Sequence, residues 1–368
     1  LRFSDTAGAY VHQWQIPDRG WLISLETSAE QAAMMSGEDF RPAPSSGFGY
    51  LLEQTRYLVF DEDDVTTVGL NETEPFNGVS NGWFGFRNRF WTAMVLSENP
   101  LMIDLTTGAQ VLDGRVDMGQ GDAQGGLSIG LYLGPVESAA LSGSAPELEN
   151  LMYSSLWFFL RWICQGMYWL LNVIVMLVPQ WGLAVMLLSL AVGLLMRPLN
   201  KVAERLQDQV HETEARLAPG LAEIKKNHKG AEQSEKIIAM YKEAGVHPLY
   251  SLKGLAGVML VIPVFIGAFN MLAENIHLSG ESFLWIADLS QPDMLWQMPF
   301  RLPFFGEYLN LLPFIMTGFS VVASKLHSHP AMDVAQRRRQ ARNLSAMAVG
   351  FLVLFYTFPA GMVLYWTT

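Results

Sequence analysis

No charged residue occurs between Arg161 and Arg197, a run of 35 positions divided by Pro179-Gln180. Its second half, Gln180–Met196, makes a helix of about 26 Å at about 1.5 Å per residue, a short but adequate membrane span. Further uncharged runs follow at Gly254–Ala273, Tyr308–Ser324 and Asn343–Thr368, the last broken by Phe358-Pro359-Ala360-Gly361. One such run could be a buried helix of a soluble protein; several in sequence predict membrane spans. The charged fraction supports this, at 16% against the roughly 25% usual for soluble domains.

The charge is also unevenly placed. Residues 1–150 carry 7 basic residues, all Arg, against 21 acids; residues 151–368 carry 17 against 14. A net of −14 followed by +3 excludes one uniform globular domain and makes a specific nucleic-acid binder unexpected. Loop charges then set a topology. Residues 197–253 carry 10 basic residues, and 325–342 carry 5 against the single acid Asp333; residues 274–307 carry 5 acids and only Arg301. Basic loops near span ends mark the cytoplasmic side, so 197–253 and 325–342 are expected inside and 274–307 outside. The last run then crosses twice, turning at Pro359-Ala360-Gly361. The chain starts at Leu1 and stops at Thr368 a few residues into its final span, so it reads as a fragment at both ends.

Trp162–Val178 admits two placements. As a span it would put the acidic residues 1–150 in the cytoplasm; as a helix lying in the interface it leaves them outside. Tyr153, Trp157, Trp162, Tyr168 and Trp169 favour the interface, since aromatic side chains prefer the headgroup level.

Residues 1–150 read as an antiparallel β-sandwich. Trp21–Leu25, Tyr57–Phe60, Phe90–Leu96 and Leu127–Leu133 are short, rich in aromatic and β-branched residues, and separated by Gly, Pro, Asn and Asp. Asp61-Glu62-Asp63-Asp64 lacks the spacing of a calcium loop and reads as a solvated turn. The lone Cys164 excludes a disulfide framework. The histidines are scattered, and His327-Ser328-His329 reads as loop rather than metal site. No catalytic residue, metal or cofactor is expected.

Asn200–Ala244 is charged and helical in pattern. Leu206, Val210, Leu217, Leu221 and Ile224 form one apolar edge, and Ile237, Ile238 and Tyr241 a second. Glu212/Arg216 and Glu232/Lys236 are favourably oriented i,i+4 pairs. Two antiparallel helices joined near Gly230 are expected, either a structural stalk or a contact arm for a cytoplasmic partner such as a ribosome.

Several stretches together resemble the YidC insertase family of bacteria, which has mitochondrial and chloroplast relatives. They are Met196-Arg197-Pro198-Leu199-Asn200-Lys201, Met240–Leu249, Ile262-Pro263-Val264-Phe265, Phe283–Asp293 and Phe358–Trp366, with Gly82-Trp83-Phe84 and Leu131–Pro135 upstream. The resemblance runs in order from about residue 80 to 368. It implies a membrane α-helical bundle of five core spans, the last truncated, over residues 179–368, with a cytoplasmic hairpin at 200–247. Residues 1–150 would be a periplasmic all-β domain, and 151–178 an interfacial amphipathic helix. The implied activity is insertion and chaperoning of inner-membrane proteins without nucleotide hydrolysis. The implied partners are nascent membrane proteins and the lipid bilayer, with the ribosome and a Sec translocon as further candidates. A groove open to the cytoplasm and the lipid would shelter polar substrate segments, because a charge at mid-bilayer costs about 2.5–3.5 kcal/mol on insertion scales.

The resemblance also places the groove residues. The family's groove arginine, five residues before the proline of the first core span, falls on Gly193; the nearby arginine is Arg197. Residues 189, 193 and 197 share one helix face. Arg197 could reach back past Gly193 into the groove, or act as a snorkelling anchor on the positive side. A polar groove position falls on Ser189, which stays polar, and a glutamine position falls on apolar Val261. Tyr365 and Trp366 match substrate-facing aromatics, or pack the bundle; Ser189 and Gly193 could equally permit close helix packing. A less hydrophilic groove also fits a non-catalytic scaffold subunit that kept the fold. A transporter or channel fits poorly, since ion relays need acids or histidines inside the spans.

Overall fold

The computed structural model describes residues 2–4, 11–15, 20–27, 33–36, 56–61, 64–69, 76–80, 82–97, 100–108, 111–117, 127–154, 156–245, 256–326 and 334–368. Its N-terminal part is β. The strands are β1 (Arg2–Ser4), β2 (Val11–Gln15), β3 (Leu22–Thr27), β4 (Ala33–Ser36), β5 (Arg56–Asp61) and β6 (Asp64–Gly69). They continue as β7 (Phe76–Ser80), β8 (Trp83–Arg87), β9 (Trp91–Ser97), β10 (Leu101–Gly108), β11 (Val111–Asp117) and β12 (Leu127–Pro135). An antiparallel sheet has the order β1-β2-β3-β12-β9-β8-β5-β6, and another has β4-β11-β10-β7. The aromatic runs expected to be strands are β3, β5, β9 and β12. Asp61 and Asp64 pair across the β5–β6 hairpin; Glu62 and Asp63 lie outside the described residues, as do His327-Ser328-His329 and Val246–Leu249.

The central strand β8 is buried along its whole length. Trp83 packs with Leu58, Met94 and Tyr132 over Leu141, Leu148 and Leu151, which come from the short helix α1 (Ser138–Ser142) and the 3-10 turn Pro146–Leu151. Its indole Nε1 donates to the Glu147 carbonyl. Gly85 sits where β8 and β9 meet so closely that a Cβ would lie 2.0 Å from the Ala93 carbonyl oxygen, so only glycine fits.

The rest is mainly helical: α2 (Phe158–Leu177), α3 (Trp181–Asn227), α4 (Gly230–Glu243), α5 (Ala256–Ala273), α6 (Leu312–Leu326), α7 (Val334–Phe355) and α8 (Ala360–Thr367), with an antiparallel hairpin of β13 (Trp296–Leu302) and β14 (Gly306–Leu309) between α5 and α6. Phe158–Leu177 and Trp181–Val210 are long and apolar enough to cross a membrane by length and composition, with mean hydropathies of 1.3 and 1.9. Only 22% and 28% of those stretches is buried, unlike the core helix of a soluble protein. The apolar surface left outside includes Trp162, Trp169, Leu194, Leu195, Phe319 and Val349; a patch this extended needs a cover.

Ala184, Val185, Leu188 and Val192 recur at helical spacing and turn one face of α3 into the core. They meet Ala268, Met271 and Leu272 of α5 and Met362, Val363 and Leu364 of α8. Thus α8 packs on α3, α5 and α6, and α7 packs on α6. The sequence reading separates a span from a hairpin arm at residue 200. The backbone does not: α3 continues through Pro198 and Pro219 to Asn227 as one helix of 47 residues. A proline interior to a helix forfeits a backbone hydrogen bond and usually bends it. The change from apolar to charged sequence marks a change of surroundings, not of backbone. α4 folds back beside the charged half of α3, where Val210 and Leu217 are buried; Gly220 lets the Met240 thioether approach.

Both ends of α2 are tied to the same end of the bundle. At its start Arg161 donates to the carbonyls of Ser154 and Leu156, and the neighbouring Tyr153 N–H donates to Glu274, just past α5. After its end Val178, Pro179 and Gln180 lead into α3, whose Trp181 stacks on His277 at 5.1 Å, again just past α5. α2 itself packs on α5 and α3. Cys164 Sγ contacts the Gly267 carbonyl, and a Cβ on Gly267 would lie 2.5 Å from Ile163, so that glycine permits the close approach of α2 and α5.

Candidate functional site

The five helices α3, α5, α6, α7 and α8 meet at one end under a cap formed by residues 274–311 and the turn Tyr356–Pro359. Helix ends leave backbone groups without partners, and here distant residues supply them. Leu311 N–H and Leu312 N–H donate to one Asp293 carboxylate oxygen at 2.8 and 2.9 Å, and Trp285 Nε1 donates to the same oxygen at 3.1 Å. A carboxylate also suits the positive end of α6. Ala360 N–H and Gly361 N–H, opening α8, donate to the carbonyls of Gln291 and Leu289. A Cβ on Gly361 would lie 3.1 Å from the Leu289 oxygen, so the close approach favours glycine. Asn310 Nδ2 donates to the Tyr356 carbonyl, and Tyr356 OH donates to the Tyr308 carbonyl.

The β region completes the cap. The turn after β8 is held by Asn88 Oδ1, which accepts from Phe90 N–H and Trp91 N–H. It drives two buried arginines into the bundle end. Arg87 pairs with Glu274 and donates to the Leu151 carbonyl. Arg89 donates to the carbonyls of Ala273 and Ser290 at 2.6 and 2.8 Å. The first of these is the last residue of α5, where a cation is favoured by the helix dipole. Sequence reading does not single out Arg87 or Arg89. Two arginines beside the aromatic β8, in a region of high acidity with no lysine, are the signal that points to them.

The five expected groove residues separate into two groups. Ser189, Tyr365 and Trp366 come together: Ser189 Oγ donates to the Tyr365 carbonyl at 2.7 Å, joining α3 to α8. Tyr365 is buried. Trp366 packs on Phe265 of α5 at 4.3 Å and on Phe355 of α7 at 6.2 Å, and its indole Nε1 is buried without a hydrogen-bond partner among the described residues. Gly193 and Arg197 lie one and two turns further along α3 and are exposed. A Cβ at Gly193 would meet nothing within 4 Å. The Arg197 side chain forms no hydrogen bond or ion pair with a described residue. Val261 is half exposed on α5. The polar face therefore starts at a satisfied serine beside an aromatic wall and continues into open surface that ends in an arginine.

The sequence model of the family described as 60Kd inner membrane protein matches residues 170–368. Curated relatives named membrane protein insertase YidC are similar over much of the chain. That of Methylobacillus flagellatus is 27% identical, covering 87% of this chain and 54% of its own. That of Shewanella woodyi is 28% identical, covering 95% and 62%, and that of Francisella philomiragia subsp. philomiragia is 33% identical, covering 65% and 38%. The chain thus spans about half the length of the curated relatives it matches. A solved structure described as an active YidC insertase with the first transmembrane domain resolved is 18% identical, covering 97% of this chain and 73% of its own. Its TM-score is 0.33, too low to carry an argument about fold.

Proposed function

This chain belongs to the 60Kd inner membrane protein family, and on that premise we propose that it inserts and helps fold other inner-membrane proteins through a lipid-open groove, without nucleotide hydrolysis. In this reading α3, α5, α6, α7 and α8 are five core spans. The capped end faces the periplasm with the β region, α2 lies in the outer interface, and the α3–α4 hairpin and residues 325–342 are cytoplasmic. The observation that carries the proposal is the polarity of the bundle. One end has its helix termini capped by distant residues, while the Ser189–Gly193–Arg197 row opens toward the other. A substrate's polar segment entering from the open side would meet Ser189, Tyr365 and Trp366 and stop beneath the cap. In this reading Arg197 attracts acidic substrate tails: its Cα–Cβ bond tilts toward the helix N-terminus, and the space over Gly193 is open for its side chain to reach into. A charge sheltered this way crosses less hydrocarbon than one crossing lipid alone. Nascent membrane proteins and lipid are the partners; the hairpin is the surface for a ribosome, and a Sec translocon is a further partner.

The test is complementation of insertase-depleted cells with the full-length protein, read by protease protection of a single-span substrate with an acidic translocated tail. Wild type should complement, Arg197→Ala should weaken insertion of the acidic tail more than of a neutral one, and Gly193→Arg should strengthen it, since that position has room for a side chain. Full activity of Arg197→Ala on acidic tails removes Arg197 from the groove. Failure of well-expressed, folded wild type to complement supports the scaffold reading instead.

A further inference from the structure

A cavity of about 60 Å³ lies between the β region and the capped end of α5, and the groove reading makes no use of it. Arg56, Arg87, Asn88, Arg89, Ser154, Asn270 and Glu274 supply its polar lining. Among the described residues that line it, three guanidiniums stand against one carboxylate. Glu274 is already engaged by Arg87 and by the Tyr153 N–H. The Arg56 side chain is part-buried and makes no hydrogen bond or ion pair with any described residue. Burial first, and the adjacent Arg87 second, push its pKa down, and Glu274 opposes them only in part.

Crowded like charges in a partly dry pocket favour an anion. The pocket also runs against the field of its own region: residues 1–150 have a net charge of −14, yet three of their seven arginines converge here. The arginine fork matches the paired oxygens of phosphate. The volume suits it too, since roughly 10–15 Å³ holds one water by this measure and a phosphate group has the bulk of a few waters. Leu58 and Phe269 give the remaining wall an apolar side, which tolerates a phosphodiester with an apolar tail as well as a free ion.

We propose that Arg56, Arg87 and Arg89 form a binding site for a phosphate-bearing anion at the seam between the β region and the helix bundle. The bound anion links the two parts by neutralising the arginines that hold them together. The site is independent of the groove, and the groove experiment neither supports nor removes it.

The test is the thermal stability of the full chain in neutral detergent, titrated separately with inorganic phosphate, dihexanoyl phosphatidylglycerol and dihexanoyl phosphatidylcholine. Arg56→Gln is the informative variant, because the Arg56 side chain makes no hydrogen bond or ion pair with a described residue. Stabilisation by phosphatidylglycerol alone identifies a lipid headgroup. Stabilisation by inorganic phosphate as well identifies the phosphate group itself. In either case Arg56→Gln should bind about tenfold more weakly. Arg56→Lys, which keeps the charge and loses the fork, should fall between. The proposal is overturned if neither anion stabilises the wild type, if phosphatidylcholine matches phosphatidylglycerol, or if Arg56→Gln responds like wild type.

Discussion

At its capped end the bundle ties its helix termini to distant residues and buries polar side chains; from Gly193 on, α3 keeps its helical backbone but turns small and basic residues outward. Asp293, Asn310, Arg87 and Arg89 are all buried at the first end, each bonded to a residue distant in sequence. At the second, Gly193 faces open space and Arg197 stands exposed. The difference separates rigidity from adaptability within one set of helices. Buried polar networks specify one arrangement because an unmet partner is costly. Exposed small and basic positions specify none, as the proposed role of receiving varied substrates would require.

The contrast can be broken by mutation, and the sizes should rank accordingly. Arg87→Ala should have the largest effect, about 3 kcal/mol, because it removes the buried arginine that pairs with part-buried Glu274 and bonds the Leu151 carbonyl. Chemical unfolding in detergent measures it, and a loss no larger than that of an exposed substitution such as Arg301→Ala would show that the β region is not anchored there. Asp293→Ala comes next, at about 2 kcal/mol, through the uncapped start of α6. Amide hydrogen exchange should rise at Leu311 and Leu312 first; unchanged protection at both would mean that the carboxylate is not their partner. The smallest of the three is Ser189→Ala, about 0.6 kcal/mol for a single interhelical hydrogen bond. A Gly193→Ala control should stay within about 0.5 kcal/mol of wild type. If Ser189→Ala rivals Asp293→Ala in the same unfolding assay, the line between rigid and adaptable regions lies further along α3 than Ser189.

The helices were legible because membrane-like surroundings impose a rule a sequence can display. The uncharged run ending at Ala273 ends with α5, and the one beginning at Gln180 opens α3, with Gln180 itself accepting from Leu183 N–H as its cap. The strands were legible from aromatic runs such as Tyr57–Phe60. The continuity of α3 through Pro198 was not, because charge reports the medium and proline reports only a bias in the backbone. The cap was half legible. Phe283–Asp293 and Phe358–Trp366 stand out as motifs, but their meeting through Leu289, Gln291, Ala360 and Gly361 is a backbone contact with no side-chain signature. Arg89 illustrates the limit: its acceptors lie 184 and 201 residues away, and nothing near it in sequence announces them. Among the expected groove residues, Ser189 and Tyr365 proved to be partners through a main-chain oxygen, a relation that residue type does not encode.

The unbroken course of α3 has a mechanical consequence. From Pro198 to its tip at Asn227 the helix is about 45 Å long. It is anchored above the proline by Val185, Leu188 and the Ser189 bond, and below it packs, among the described residues, against α4. A swing of about 5° at Pro198 therefore carries the tip through about 4 Å, while the residues above the proline stay in place. The proline makes α3 a lever with its fulcrum one residue from Arg197, so a load on the hairpin tip is felt first at that arginine.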